Sequence, residues 1–136
     1  MSVKTIITYG TFDMFHIGHL KLLQRLKELG DELIVAVSTD EFNKIKGKTP
    51  LIPFEQRFEI VENIKCVDRV IAEENWEQKM DDIQQYDIDI FAMGNDWEGK
   101  FDFLCPYCDV FISPEPKIFQ LPKLKNCWTI FWLKIK

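Results

Sequence analysis

The chain contains only two histidines, and they stand three residues apart in His16-Ile17-Gly18-His19. Imidazoles at that spacing share one face of a helix. They lie between an apolar run, Thr5 to Tyr9, and a stretch whose leucines recur at helical spacing. Both rings are therefore expected at a helix N-terminus, where free amide donors and a partial positive charge favour phosphate. Two such donors can follow negative charge as it grows on a transferring phosphoryl group. Gly18 lets a ligand or the backbone approach closely. Thr11 supplies a hydroxyl, and Asp13 a carboxylate that could cap the turn or touch a metal. Two ordinary surface or core histidines would be the bland reading, but their pairing at a strand end argues against it. A zinc pair would need a third ligand. The sequence offers no obvious one, so no protein metal site is expected.

The elements that must position these groups alternate. Thr5 to Tyr9 reads as a first strand, rich in β-branched residues. Leu22, Leu23, Leu26 and Leu29 mark a helix that stops at Gly30. Leu33 to Val37 is apolar throughout, as expected of a strand covered on both faces. Lys44 to Pro53 reads as a mobile basic loop. Phe54, Phe58, Val61 and Ile64 mark a helix, and Arg69 to Ala72 a short strand. Trp76, Met80 and Ile83 recur at helical spacing; Ile88 to Met93 and Asp109 to Ile112 read as further strands. Such alternation predicts an α/β fold: a Rossmann-like parallel sheet flanked by helices. Ligands in such sheets sit beyond the carboxyl ends of the strands. That places the chemistry in the loops Gly10 to His19, Ser38 to Lys48 and Gly94 to Gly99.

The bulk numbers agree with one enzyme-sized domain. The chain has 136 residues, 46% of them hydrophobic and 29% charged. A net charge of -5 argues against nucleic acid as a partner. There is no signal peptide and no stretch long enough to span a membrane, so no membrane partner and a cytoplasmic location are expected.

Gly10-Thr11-Phe12-Asp13-Met14-Phe15-His16-Ile17-Gly18-His19 resembles the GTFDxxHxGH signature of the cytidylyltransferase family, within the HxGH nucleotidyltransferase superfamily. Ser38 to Asn43, the loop to Lys48, Asn75 to Lys79, and Met93 to Asp102 resemble the branch of that family acting on glycerol 3-phosphate. The resemblance covers residues 4 to about 110. It implies the HxGH nucleotidyltransferase fold and attack of a glycerol 3-phosphate oxygen on the α-phosphorus of CTP. CDP-glycerol forms, pyrophosphate leaves, and no covalent intermediate is expected. The product would serve synthesis of a teichoic-acid-type or related surface polymer.

The same resemblance implies the roles. His16, His19 and Lys46 would act on the phosphates undergoing transfer. Tyr9, Gly10, Thr11, Phe12, Gly18 and Asp96 would contact the nucleotide. Asp13, Lys48, Arg57, Lys65 and Trp76 would bind the second substrate. At Lys65 family members can carry arginine; lysine keeps the charge but loses the bidentate fork. Mg²⁺ would arrive mainly on the nucleotide phosphates. A homodimer is implied. Two other readings stand beside this one: a nucleotide-binding remnant that no longer turns over, and a cytidylyltransferase for another phosphorylated alcohol.

Cys105-Pro106-Tyr107-Cys108 has the letters of a glutaredoxin site. A low-pKa thiolate in that motif needs a preceding strand and a helix starting at its first cysteine. Here the order is reversed, which argues against redox chemistry. Cys66 and Cys127 do not complete a metal site with it.

Residues 1 to 112 therefore read as the nucleotide-binding domain and 113 to 136 as an aberrant tail. The family ends in a segment resembling YLPRTxxISTTxIK; here Glu115 stands where its arginine belongs. An anion in place of a phosphate-binding cation, together with the missing hydroxyls, would cost roughly 2–4 kcal/mol of transition-state binding per group. Starting each codon one nucleotide earlier permits the missing signature to reappear, which suggests a frameshift between about Leu104 and Ile112. Sequencing the coding DNA over codons 100 to 136 checks this. The expected result is a one-nucleotide offset that restores the signature.

Overall fold

The computed structural model describes residues 3–94 and 100–113. The tail after Ser113 and Asp96 with its neighbours lie outside the described residues, as do the expectations placed on them. The elements run β1 (Thr5–Gly10), α1 (Ile17–Lys27), β2 (Glu32–Ser38), α2 (Asp40–Ile45), α3 (Phe54–Glu62), β3 (Arg69–Glu73), α4 (Gln78–Gln85), β4 (Ile90–Gly94), a 3-10 turn (Asp102–Leu104) and β5 (Asp109–Ser113). The strands form one parallel sheet in the order β3-β2-β1-β4-β5. The expected α/β architecture is present. No helix among the described residues is long and apolar enough to cross a membrane.

Strand alternation divides the core between two faces. Ile6, Leu33, Val35 and Val37 point to the side where Leu23 and Leu26 of α1 and Val61 of α3 close over them. Ile7, Tyr9, Ile34, Ala36, Phe91 and Met93 point to the other, under Ile83 of α4 and Leu104. Burial on both faces explains why β2 carries no polar alternation until Ser38, its last residue.

Some boundaries differ from the sequence expectation: Trp76 precedes α4, and Ile88 precedes β4. The start of the expected basic loop is helical. Thr39 accepts the Phe42 N–H on its hydroxyl at 3.1 Å and caps α2, so Lys44 lies on a helix and the loop proper begins at Lys46. β5 also runs one residue further, with buried Ser113 paired to Gly94.

The strand order places the topological switch between β1 and β4, whose chains leave the sheet to opposite sides. Gly10 and Gly94 end those two strands, and the crevice between them opens there. At the opposite end of the sheet Gly30 closes the turn into β2. A Cβ at Gly30 would stand 2.6 Å from Ile6 Cδ1 and 2.7 Å from the Lys4 carbonyl oxygen. Because one obstacle is backbone, Gly30→Ala is expected to lose about 1–3 kcal/mol of stability, measured by urea denaturation.

Candidate active site

The β1–α1 turn is bent twice through the left-handed region, at Phe12 (φ 53°) and Met14 (φ 47°). Non-glycine residues hold that conformation only where surroundings impose it. The buried Phe12 ring folds back over Gly10, and a Cβ there would stand 2.8 Å from the ring. The turn then delivers His16 as the residue that caps α1. His16 Nδ1 accepts the Gly18 N–H at 3.0 Å, and His19 Nδ1 accepts the His16 N–H at 3.2 Å. This is a capping box built from imidazoles.

The cap decides the tautomers. A ring nitrogen that accepts a backbone N–H carries no proton, so each neutral imidazole presents Nε2–H as its donor. The ring centroids stand 4.0 Å apart. Burial lowers the pKa of His16. Burial, and then the neighbouring His16, push His19 down to about 4, with Asp13 opposing. At neutral pH His19 is therefore uncharged.

His19 faces a cleft of about 400 Å³ at the sheet switch. Gly10, Thr11 and Phe12 line it from the β1 end, Trp76 and Lys79 from beyond β3, and Lys46 and Lys48 from the loop after α2. Its floor is charged but almost fully covered. Glu73 is 3% exposed; its Oε2 accepts Lys79 Nζ at 2.8 Å, and its Oε1 accepts Ser38 Oγ at 2.6 Å. Lys46 Nζ donates to Ser38 Oγ at 2.8 Å and lies 3.7 Å from Glu73 Oε1. Lys79 Nζ lies 4.6 Å from the Tyr9 ring centroid and 5.3 Å from that of Trp76. Tyr9 OH donates to Asp82 Oδ2 at 2.7 Å; burial, then that bond, raise its phenol far above the usual range and keep it protonated.

Residues 7–115 match the family model described as cytidylyltransferase-like. The chain is 58% identical over 124 residues to glycerol-3-phosphate cytidylyltransferase of Bacillus spizizenii, covering 91% of this chain and 96% of that one. It is 54% identical to the Bacillus subtilis enzyme of the same name, with the same coverage. The chain belongs to the cytidylyltransferase-like family. Among solved structures, the lipopolysaccharide core biosynthesis protein from Thermoplasma volcanium superposes with a TM-score of 0.74 at 26% identity. That match covers 85% of this chain and 99% of the other.

In this cytidylyltransferase-like chain, Tyr9, Gly10, Thr11, Phe12, Asp13, His19, Lys46, Lys48 and Trp76 meet at one cleft, with His16 beside His19. Several of them are engaged by the protein itself. The Thr11 hydroxyl donates to Asn43 Oδ1 at 3.0 Å. Both Asp13 oxygens accept loop amides, from Leu51 and Ile52, each at 2.9 Å. Asp13 thereby ties the loop after α2 to the β1–α1 turn. Gly18 spends its N–H on the His16 cap.

Two of the expected residues stand apart from the cleft wall. Arg57 was expected to bind the anionic substrate, yet it is 1% exposed and absent from the cleft wall. Its Nη1 donates to the carbonyls of Thr11 at 2.8 Å and Ser38 at 2.7 Å. Nε reaches the Ile52 carbonyl at 2.8 Å, and Nη2 reaches Asp40 Oδ1 at 2.8 Å. It is a positioning residue that joins three site loops. Lys65 is exposed beyond the C-terminal end of α3, next to the turn where Asp68 Oδ2 accepts the Leu33 N–H. That is the amino end of the strands, so it cannot serve this cleft within one chain.

Ser38, Asn43, Glu73 and Lys79 were not foreseen as site residues. Lys79 left one signal: it shares a helical face with Ile83, four residues on, so a cation sits on a buried stripe. The Cys105–Cys108 pair offers no activated thiolate at its second cysteine. Burial raises the Cys108 thiol, with the 3-10 turn before it rather than a strand.

Two stability measurements follow. A histidine protonated less readily when folded supports the fold fully above pH 6.5, and that support is lost as pH falls toward about 4. Stability in urea is expected to fall by up to about 3 kcal/mol across that window. His19→Gln keeps the N3 cap without a titrating ring, and should flatten the slope. Arg57→Lys cannot reproduce the fork and leaves buried carbonyls unpaired, so urea denaturation should show a loss of roughly 2–3 kcal/mol.

Proposed function

We propose that this chain transfers a cytidylyl group from CTP to glycerol 3-phosphate, releasing pyrophosphate and forming CDP-glycerol. The observation that carries the reading is the pair of adjacent imidazoles with both Nδ1 atoms occupied, beside a cleft lined by Lys46, Lys48 and Lys79. The substrate names come from relatives at 54% and 58% identity. Phosphoryl transfer of this kind needs positioning and charge stabilisation rather than an enzyme nucleophile. Neutral Nε2–H donors at a helix N-terminus suit it. They are aligned before the substrate arrives and can strengthen as charge shifts to the α-phosphate and leaving oxygens.

The remaining groups divide by position. Lys46 and Lys48, on the loop after α2, approach the triphosphate from above. To Lys79 and Trp76, which line the cleft from beyond β3, we assign the second substrate. Gly10 leaves room for the Phe12 ring at the end of β1, and Phe12 backs His19 edge-on at 5.5 Å. Among the described residues no three His, Cys, Asp or Glu side chains are grouped to hold a metal. From the resemblance we assign Mg²⁺ to the nucleotide, where it would keep phosphate and water ligands. From the resemblance we also assign the product to teichoic-acid-type polymer synthesis by a cytoplasmic homodimer.

Incubation with CTP and glycerol 3-phosphate tests the reading. Pyrophosphate and a mass corresponding to CDP-glycerol are expected, at a rate well below that of a relative with the intact terminal signature, and neither with ATP alone as the nucleotide. Binding of CTP without pyrophosphate release would mark a non-catalytic remnant instead. His16→Ala and His19→Gln should each lower kcat by about 100- to 1,000-fold in the pyrophosphate assay. The glutamine variant should do so while retaining the cap, which separates the donor from the fold.

A further inference from the structure

Glu73 ends β3, is 3% exposed, and touches three polar side chains of the cleft through two oxygens. Oε2 is committed to Lys79 at 2.8 Å. Oε1 takes the Ser38 hydroxyl at 2.6 Å and keeps Lys46 Nζ at 3.7 Å, with Ser38 Oγ bridging carboxylate and ammonium. Two buried ammonium groups thus share one carboxylate, with the buried Asp82 carboxylate held apart on the Tyr9 hydroxyl. The two lysines are not held alike. Lys79 sits on the rigid α4 with a direct contact. Lys46 ends α2, its contact is longer, and the next residue is Gly47 at φ 76°, where a side chain would meet nothing within 4 Å. Lys46 Nζ is held by Ser38 Oγ at 2.8 Å and lies 4.8 Å from the Phe42 ring centroid, so it reaches the carboxylate only through the hydroxyl, whereas Lys79 is bonded to it directly.

We propose that Glu73 is a positioning residue: it is the internal counter-anion that gathers Lys46 and Lys79 at the cleft floor, and Lys46 exchanges it for a substrate phosphate. The step involves no bond making beyond hydrogen bonds. Lys46 passes from a carboxylate to a phosphate oxygen, and Glu73 retains Lys79 and Ser38. A buried ammonium without such a partner would lose its proton or leave the site. The groups facing Lys46 support this. Burial lowers its pKa most, Lys48 from the loop and Lys79 from α4 lower it further, and Glu73 from β3 opposes them. Asp13, across the cleft, has its carboxylate occupied by loop amides. The exchange rests on the proposed transfer; the counter-anion role does not.

The test uses the full chain labelled at lysine Cε with carbon-13. Lys46→Arg and Lys79→Arg variants assign the two resonances. Glu73→Gln keeps the shape and an acceptor for Ser38 but removes the charge. Lys46 should then lose its proton at lower pH than in the parent, because the carboxylate that opposes the lowering of its pKa is gone. Glu73→Asp should recover part of the difference. Unchanged titration of Lys46 in Glu73→Gln would overturn the counter-anion role, whatever the enzyme's activity.

Inorganic pyrophosphate added to the parent should shift the Lys46 resonance more than that of Lys79. Equal shifts, or none, would overturn the exchange. In the pyrophosphate-release assay, lysine charge is lost as pH rises, so the alkaline limb of Glu73→Gln should move to lower pH with the lysine titration. A parent without pyrophosphate release would sink the transferase reading and leave the lysine titrations to judge Glu73 alone.

Discussion

Each imidazole at the start of α1 gives its Nδ1 to a backbone N–H, and most of the site follows from that constraint. It fixes two tautomers, stacks two rings 4.0 Å apart, and starts a helix. Histidine is an unusual cap, because serine, threonine, asparagine or aspartate would do the capping as well. An imidazole does something those residues cannot: it accepts on one side and donates on the other. The same bond that starts the helix therefore aims a donor outward. Burial then keeps the His19 ring neutral near pH 7, so the donor does not have to be discharged before it can be tuned by the substrate.

Holding that turn in place falls to groups outside it. Phe12 and Met14 sit in left-handed conformations that the turn alone would not maintain. Arg57 grips the Thr11 carbonyl from one side and Asp13 grips the Leu51 and Ile52 amides on the other. The β1–α1 turn, the end of β2 and the loop after α2 become one unit in consequence. A buried arginine carries a large desolvation cost, and it is tolerated because its N–H groups find four oxygen partners. The glutamate and lysines of the floor obey the same rule: charge is kept inside only where an opposite charge meets it.

These pairings show where sequence reading stops. His16, His19 and Gly10 were legible because two imidazoles three residues apart at a strand end suit an anion site better than a core or a surface. The placement of Arg57 and Lys65 away from the cleft wall was not legible, for a common reason. A basic residue near a phosphate site suggests a phosphate contact, but sequence does not say whether a side chain points into the cleft or beneath it. Arg57 turns inward to three carbonyls, and Lys65 lies past the far end of α3. Glu73 carried no signal in the sequence, and Ser38 only marked the start of a candidate loop. Their partners lie on other elements, and no local pattern announces a carboxylate shared between α2 and α4.

What the amino-acid sequence settled by itself was the part governed by near neighbours: strands and helices from hydrophobic period, the parallel sheet from their alternation, the helix start from the paired histidines. Period and capping act over a few residues, so they can be read in one dimension. What only the tertiary structure decided was the charge pairing of the cleft and the direction of each cation. Those depend on which buried groups come within about 4 Å once the strands and helices have packed, and on how much water each has lost.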